Sequence, residues 1–211
     1  LSRGLVRKDP ARAVLPPKKD KPLPQFLKEK EADQLLDGPT ARSDAFKDVR
    51  IHTILMVFYE TGIRLSELTG LDDSDVSLSA RQLKVTGKRN KQRVIPFGDE
   101  LASTLARYMD IRNRSVVRYD KALFVTPKGQ RMNANQVRNE VKKQISLVSS
   151  LKKRTPHVLR HTFATAMLNH GAGIESIKKL LGHASVSTTE VYSHTTFEQL
   201  KRVYKQAHPR A

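Results

Sequence analysis

The segment RTPHVLRHTFATAMLNHG, residues 154–171, sets a histidine and an arginine three positions apart, His157 and Arg160. Thr155 can cap a helix ahead of them, Pro156 suits its first position and Gly171 can close it. On that helix His157 and Arg160 share a face near the N-terminus, where unpaired N–H groups and the helix dipole favour an anion. Leu159, Phe163 and Met167, at fourfold spacing, bury a different face. Taken alone, His157 is better read as a structural histidine. Beside Arg160, Thr155 and the preceding basic run, a phosphate site is the better reading.

A second amphipathic helix follows in GIESIKKLLGH, with Ile174, Ile177, Leu180 and Leu181 turned inward. Gly182 ends it and presents His183. Ser187 and Glu190 have the spacing of a capping box for a short helix carrying Tyr192. That tyrosine sits in the polar run TTEVYSH, where no apolar period places it. By itself it is more often a packing residue than a nucleophile.

Charge is concentrated around these segments. Between Ser79 and Ile95 stand six basic residues (Arg81, Lys84, Lys88, Arg89, Lys91 and Arg93) and no acid. Between Val141 and Ile174 there are again six (Lys142, Lys143, Lys152, Lys153, Arg154 and Arg160), also without an acid. Like charges repel, so such runs are best explained where a phosphate backbone neutralises them. Over the whole 211-residue chain, 39 basic against 21 acidic side chains leave +18, a field suited to polyanions. The absence of cysteine excludes disulfides and thiolate metal sites. No run of about 18 apolar residues offers a membrane span. With no signal-peptide pattern in LSRGLVRKDP, the composition reads as soluble and cytoplasmic.

The elements that must position these groups can be read from apolar periodicity. Residues 7–24 are rich in proline and charge and follow no period, as in a linker or arm. Helices are expected over 27–36, 49–61, 99–114, 133–149, 156–170, 174–181 and 196–206, the second carrying Ile51, Ile54, Leu55, Val57 and Phe58 and ending at Gly62. From Gln82 to Phe97, Leu83 and Val85 alternate with polar residues, GKRNKQ follows and Val94-Ile95-Pro96 resumes, which reads as two strands joined by a basic turn. Leu123-Phe124-Val125 is a further candidate strand. The 38% hydrophobic content supports one sizeable core. The expected class is α+β, mostly helical, with a small antiparallel sheet.

Four segments taken in order, TGIRLSEL (61–68), VTGKRNKQRVIPF (85–97), HVLRH (157–161) and LLGHASVSTTEVYSH (180–194), resemble the tyrosine recombinase (phage integrase) family. The likeness is strongest to its bacterial Xer-type members, down to the closing HPRA. It covers the catalytic domain, residues 23–211, with residues 1–22 resembling the end of a preceding domain and a linker; the helical core-binding domain usual in the family is not in this chain.

The resemblance implies that Arg64 and Arg160 grip a scissile phosphate, since guanidinium is planar, permanently charged and bidentate. Glu67, otherwise an ion-pair partner of Arg64 at i and i+3, would orient active-site groups. His157 would serve as acid/base partner and His183 as a donor to a phosphate oxygen, while Tyr192 attacks phosphorus and Lys88 protonates the departing 5′ oxygen. Arg89, Lys91, Arg93, Lys152, Lys153 and Arg154 would contact DNA. No metal and no cofactor are expected. The partners implied are double-stranded DNA and, on paired sites, a homo- or hetero-tetramer, with a monomer as the free fragment. The C-terminal helix would either pack on its own domain or be donated to a neighbour. Two other functions remain at this point, a tyrosine-type topoisomerase and a non-catalytic DNA-binding protein.

Overall fold

The computed structural model describes residues 25–182 and 194–210, without the side chains of Lys88, His194, Thr195 and Thr196. At its centre lies α3 (Phe46–Thr61), in which every residue from Val49 to Thr61 is buried. The helix is buried on all sides: Ile54, Leu55, Val57 and Phe58 enter the core, and its polar residues Arg50, His52 and Glu60 are buried too, each with a hydrogen-bond partner. Around it pack α1 (Glu29–Leu36), the single turn α2 (Pro39–Arg42), α5 (Asp99–Ser115), α6 (Ala134–Val148) and α7 (Pro156–Asn169). Each large side chain that α3 withdraws from water contributes about 1.5–3 kcal/mol. This helix is therefore the rigid post from which the later groups are hung.

A short α4 (Leu65–Thr69) leaves the end of α3 and leads to a three-stranded antiparallel sheet, β1 (Val76–Ser77), β2 (Gln82–Thr86) and β3 (Gln92–Pro96), ordered β1-β2-β3. In β2, Leu83 and Val85 are buried while Lys84 and Thr86 are exposed, as the alternation predicted. The register pairs Leu83 with Ile95 and Val85 with Arg93. A 3-10 turn over Lys88–Asn90 joins β2 to β3, with Arg89 and Asn90 in the left-handed region at φ 59° and 57°.

The remaining elements are α8 (Ile174–Leu181) and α9 (His194–Ala207), the latter packed on α7, α8 and β3 of its own chain. Leu200 and Tyr204 are buried there.

Several expectations need correction. Leu123-Phe124-Val125 is buried but forms no strand; only isolated bridges, Asp72 with Ala122 and Val125 with Arg131, flank it. Thr155 occupies the N-cap of α7 without a side-chain capping bond. Ile174, read as inward, is 53% exposed as the first residue of α8, while Ile177, Leu180 and Leu181 are buried. The elements missed, α2, α4 and β1, are all too short to display a period. Among the described residues no helix is long and apolar enough to cross a membrane.

Candidate active site

The chain enters the site through Gly62, in the left-handed region at φ 58°. A Cβ there would come within 2.5 Å of the Phe163 ring and 2.8 Å of Leu181, so the turn that delivers Arg64 requires glycine. Arg64 is the N-cap of α4. Its backbone N–H donates to Glu67 Oε2 at 2.7 Å, and its Nη1 donates to Glu67 Oε1 at 3.0 Å. The local turn thus supplies the ion pair expected at i and i+3, and Glu67 becomes the hub of something larger.

Arg93, on β3, reaches the same carboxylate with Nη1 to Oε1 at 2.7 Å and Nη2 to Oε2 at 3.0 Å, a parallel fork. Its Nε donates to the Leu180 carbonyl at 2.9 Å. This corrects the assignment of Arg93 to DNA. At 7% exposure its charge is spent inside the protein, orienting Glu67 and the end of α8. A one-residue change of register in β3 would have turned it outward. Its one sign in the sequence is the alternation of β3, which sets Arg93 two residues before the buried Ile95 and on the same face, although it lies in the same basic run as Arg89 and Lys91, both of which are exposed.

Arg160, in the second turn of α7, donates from Nη1 to the Gly62 carbonyl at 2.5 Å and from Nη2 to the Leu181 carbonyl at 2.8 Å. Arg64 Nη2 donates to the Gly182 carbonyl at 2.9 Å. Two arginines distant in sequence are therefore aimed by consecutive carbonyls at the end of α8. Gly182 is at φ 64°, and a Cβ on it would sit 3.0 Å from Arg93 Nη1. These main-chain acceptors were not anticipated; the glycine ending LLG was their one visible sign.

The electrostatics follow from these contacts. Burial would raise the Glu67 carboxyl, but the fork from Arg93 and the contacts from Arg64 outweigh it, and the group is held below its ordinary value. Arg160 is lowered to about 10, first by burial and then by repulsion from Arg64 and Arg93, and it stays protonated at neutral pH. Three guanidiniums against one carboxylate leave a formal +2 at this point. Arg64, its side chain 28% exposed, is the most accessible of the three. Such a cluster, with its donors fixed in advance, is suited to binding and polarising an oxyanion.

His157 is exposed at the head of α7, close to Arg160 in sequence but turned to solvent where Arg160 turns into the body. Lys152 and Lys153 are exposed on the approach to that helix, and Arg154 is half-buried. His183 and Tyr192 lie outside the described residues, as does the Lys88 side chain; the Lys88 backbone opens the turn between β2 and β3. Gly87, just before it, is close to Glu67, since a Cβ there would be 3.3 Å from Oε1. The turn and the arginine hub therefore share one end of the molecule.

Residues 25–199 match the phage integrase family model. Over its whole length the chain is 39% identical to the tyrosine recombinase XerC of Chlorobaculum tepidum, covering 69% of that protein. It is 40% identical over 99% of its length to the XerC of Thermodesulfovibrio yellowstonii, covering 70% of it. The chain belongs to the phage integrase family. It is a site-specific tyrosine recombinase. Among solved structures, the XerA recombinase superposes with a TM-score of 0.68 at 34% identity over 89% of this chain and 66% of that one. A XerH recombinase bound to its difH substrate shares the fold, with a TM-score of 0.68 at 22% identity. The recombinase described here thus spans about two thirds of the relatives it matches, with the arginine hub inside the matched region.

Proposed function

We propose that this recombinase cleaves and rejoins duplex DNA through a covalent 3′-phosphotyrosine. The phenolic oxygen of Tyr192 attacks the scissile phosphorus, the bond from phosphorus to the 5′ oxygen breaks, and Lys88 gives that oxygen its proton. The tyrosine proton passes to His157, the acid/base partner. Arg64 and Arg160 bind the non-bridging oxygens whose charge grows in the transition state, with His183 as a further donor. Religation to a different 5′ hydroxyl reverses these steps, so bond energy is conserved and no ATP is called for. The guanidiniums supply the positive charge that a nuclease takes from metal ions.

The observation that carries this reading is the Glu67 hub, which fixes Arg64 and Arg93 from one side while the carbonyls of Gly62, Leu181 and Gly182 fix Arg160 and Arg64 from the other. A protein that only gripped DNA would have no use for guanidiniums locked this firmly about a single point. Arg89, Lys91, Lys152, Lys153 and Arg154 would hold the backbone on either side, and a tetramer, homo- or hetero-, on paired sites would bring the strands to be exchanged together. The solved relatives include recombinases in complex with DNA, which supports duplex DNA as the partner.

The test is incubation with nicked duplex DNA followed by denaturing electrophoresis. The parent chain is expected to give a covalent protein–DNA species and Tyr192→Phe none, with DNA binding unchanged. An adduct undiminished in Tyr192→Phe would remove that residue from the mechanism. For the acid, Lys88→Ala is expected to be very slow on the natural oxygen substrate and near-normal on one with sulfur at the bridging 5′ position, because a thiolate needs no proton to leave. Rescue of Lys91→Ala and not of Lys88→Ala would move the role to Lys91.

A further inference from the structure

His157 and His161 stand at i and i+4 on α7, one turn apart on the same strip of helix. Both are exposed, and neither ring has a hydrogen-bond or ion-pair partner among the described residues. The arginine between them does not occupy the space they share, because the Gly62 and Leu181 carbonyls draw its guanidinium into the body. Two histidines at this spacing on a helix can both turn toward one ion, an arrangement that binds zinc in helical metal sites. Imidazole nitrogen favours Zn²⁺, Ni²⁺ and Cu²⁺ over Mg²⁺ or Ca²⁺.

We infer that His157 and His161 form a two-imidazole chelate for a divalent transition metal, an inhibitory site that takes His157 out of the recombination reaction. Among the described residues no group of three or more histidine, cysteine, aspartate or glutamate side chains is placed to hold a metal ion. The chelate is accordingly open, with water completing the coordination shell and no carboxylate to fix the ion permanently. The +2 of the arginine hub weakens cation binding here, so the site is a reversible one that chelators clear. Its place explains its effect: a metal on His157 occupies the nitrogen lone pair through which that ring would accept a proton.

The metal-binding part stands apart from the catalytic reading, and the test keeps them apart. The metal-stripped full chain is titrated with Zn²⁺ by calorimetry, beside His161→Ala and His183→Ala, with circular dichroism confirming that each variant is folded. One equivalent should bind to the parent and to His183→Ala, and His161→Ala should bind about 100-fold more weakly, since the second imidazole acts at high effective concentration. In the nicked-duplex assay Zn²⁺ should suppress adduct formation by the parent and EDTA restore it, while His161→Ala, as active as the parent without metal, resists the same dose. Absence of stoichiometric binding overturns the chelate, as does binding that survives His161→Ala or depends on His183. Binding as described with cleavage untouched by Zn²⁺ overturns the inhibitory role alone.

Discussion

Glu60 and Glu67 are both buried, at 0% and 3% exposure, yet they are held in opposite charge states. Glu67 has two guanidiniums on its oxygens, and its carboxyl is held below the ordinary value although burial pushes the other way. Glu60, at the end of α3, receives only the Gly98 N–H at 3.2 Å and the Tyr204 hydroxyl at 3.0 Å on Oε2. Its Oε1 has no partner among the described residues. Burial dominates there and lifts the group to about 8. Desolvation is common to both; what separates them is whether a cation comes with it. The active site keeps buried charge because its task is to hold arginines, whereas the neighbouring pocket that receives α9 keeps a neutral acid whose task is to anchor Tyr204 and the helix bearing it.

The largest effect expected from this contrast is that of Glu67→Ala. It leaves Arg93 buried with its fork unpaired, and losing one partner of a buried pair costs about 3–5 kcal/mol. Urea unfolding should register a loss of that size, and adduct formation should fall with it as Arg64 loses its orientation. A loss below about 1 kcal/mol, the range of surface pairs, would mean that the hub is solvated and the contrast with Glu60 is void.

The second effect is a pH profile. A carboxyl whose folded value lies above its unfolded one contributes fully below about 4.5 and loses that contribution as the pH rises to about 8. His208, stacked on Tyr204 at 4.9 Å, behaves oppositely: burial lowers it from 6.5 to about 4, so its contribution is present above 6.5 and lost as the pH falls to about 4. From about 4.5 to 6.5 the two slopes oppose, and above 6.5 only that of Glu60 remains. Glu60→Gln removes it. The stability difference between variant and parent should move in the variant's favour by up to about 1.4 kcal/mol per pH unit across the window from about 4.5 to 8. A difference independent of pH would show that Glu60 is charged in the folded protein as Glu67 is.

How far the sequence disclosed these two regions differs as well. Its apolar periods located seven of the nine described helices and the β2–β3 hairpin, since long elements repeat their pattern several times. Arg64, Glu67 and Arg160 were legible as a group through their motifs. The destination of Arg93 was legible only in part: its spacing from Ile95 turns it inward, but the carboxylate that receives it lies on α4, distant in sequence. The Glu60 pocket was invisible for a related reason: it joins residues 60, 98, 204 and 208, and no local pattern connects them. On α9 the helix itself was legible, while its docking on its own chain depended on those distant partners.

The smallest effect concerns the end of the tail, where an arginine 14% exposed is paired with carboxylates that are largely in solvent. Arg210 donates to Asp37 Oδ2 at 2.7 Å, to Glu100 Oε1 at 2.7 Å and to Asp33 Oδ1 at 3.3 Å, drawing residues beyond α9 onto α1 and α5. Its partners are 43–59% exposed, so water screens each pair heavily. Three such contacts on one guanidinium form a network, for which about 1 kcal/mol is the expected scale. Arg210→Ala should therefore cost about that much in urea unfolding at low salt. At 1 M salt the Debye length contracts to about 3 Å and most of the cost should vanish. The cost of Glu67→Ala should persist under the same conditions, since solvent ions do not reach a carboxylate 1% exposed. If the Arg210→Ala penalty is equally resistant to salt, the tail is held by a buried pair of the same kind as the active site, and the distinction between the two regions reduces to Glu60 alone.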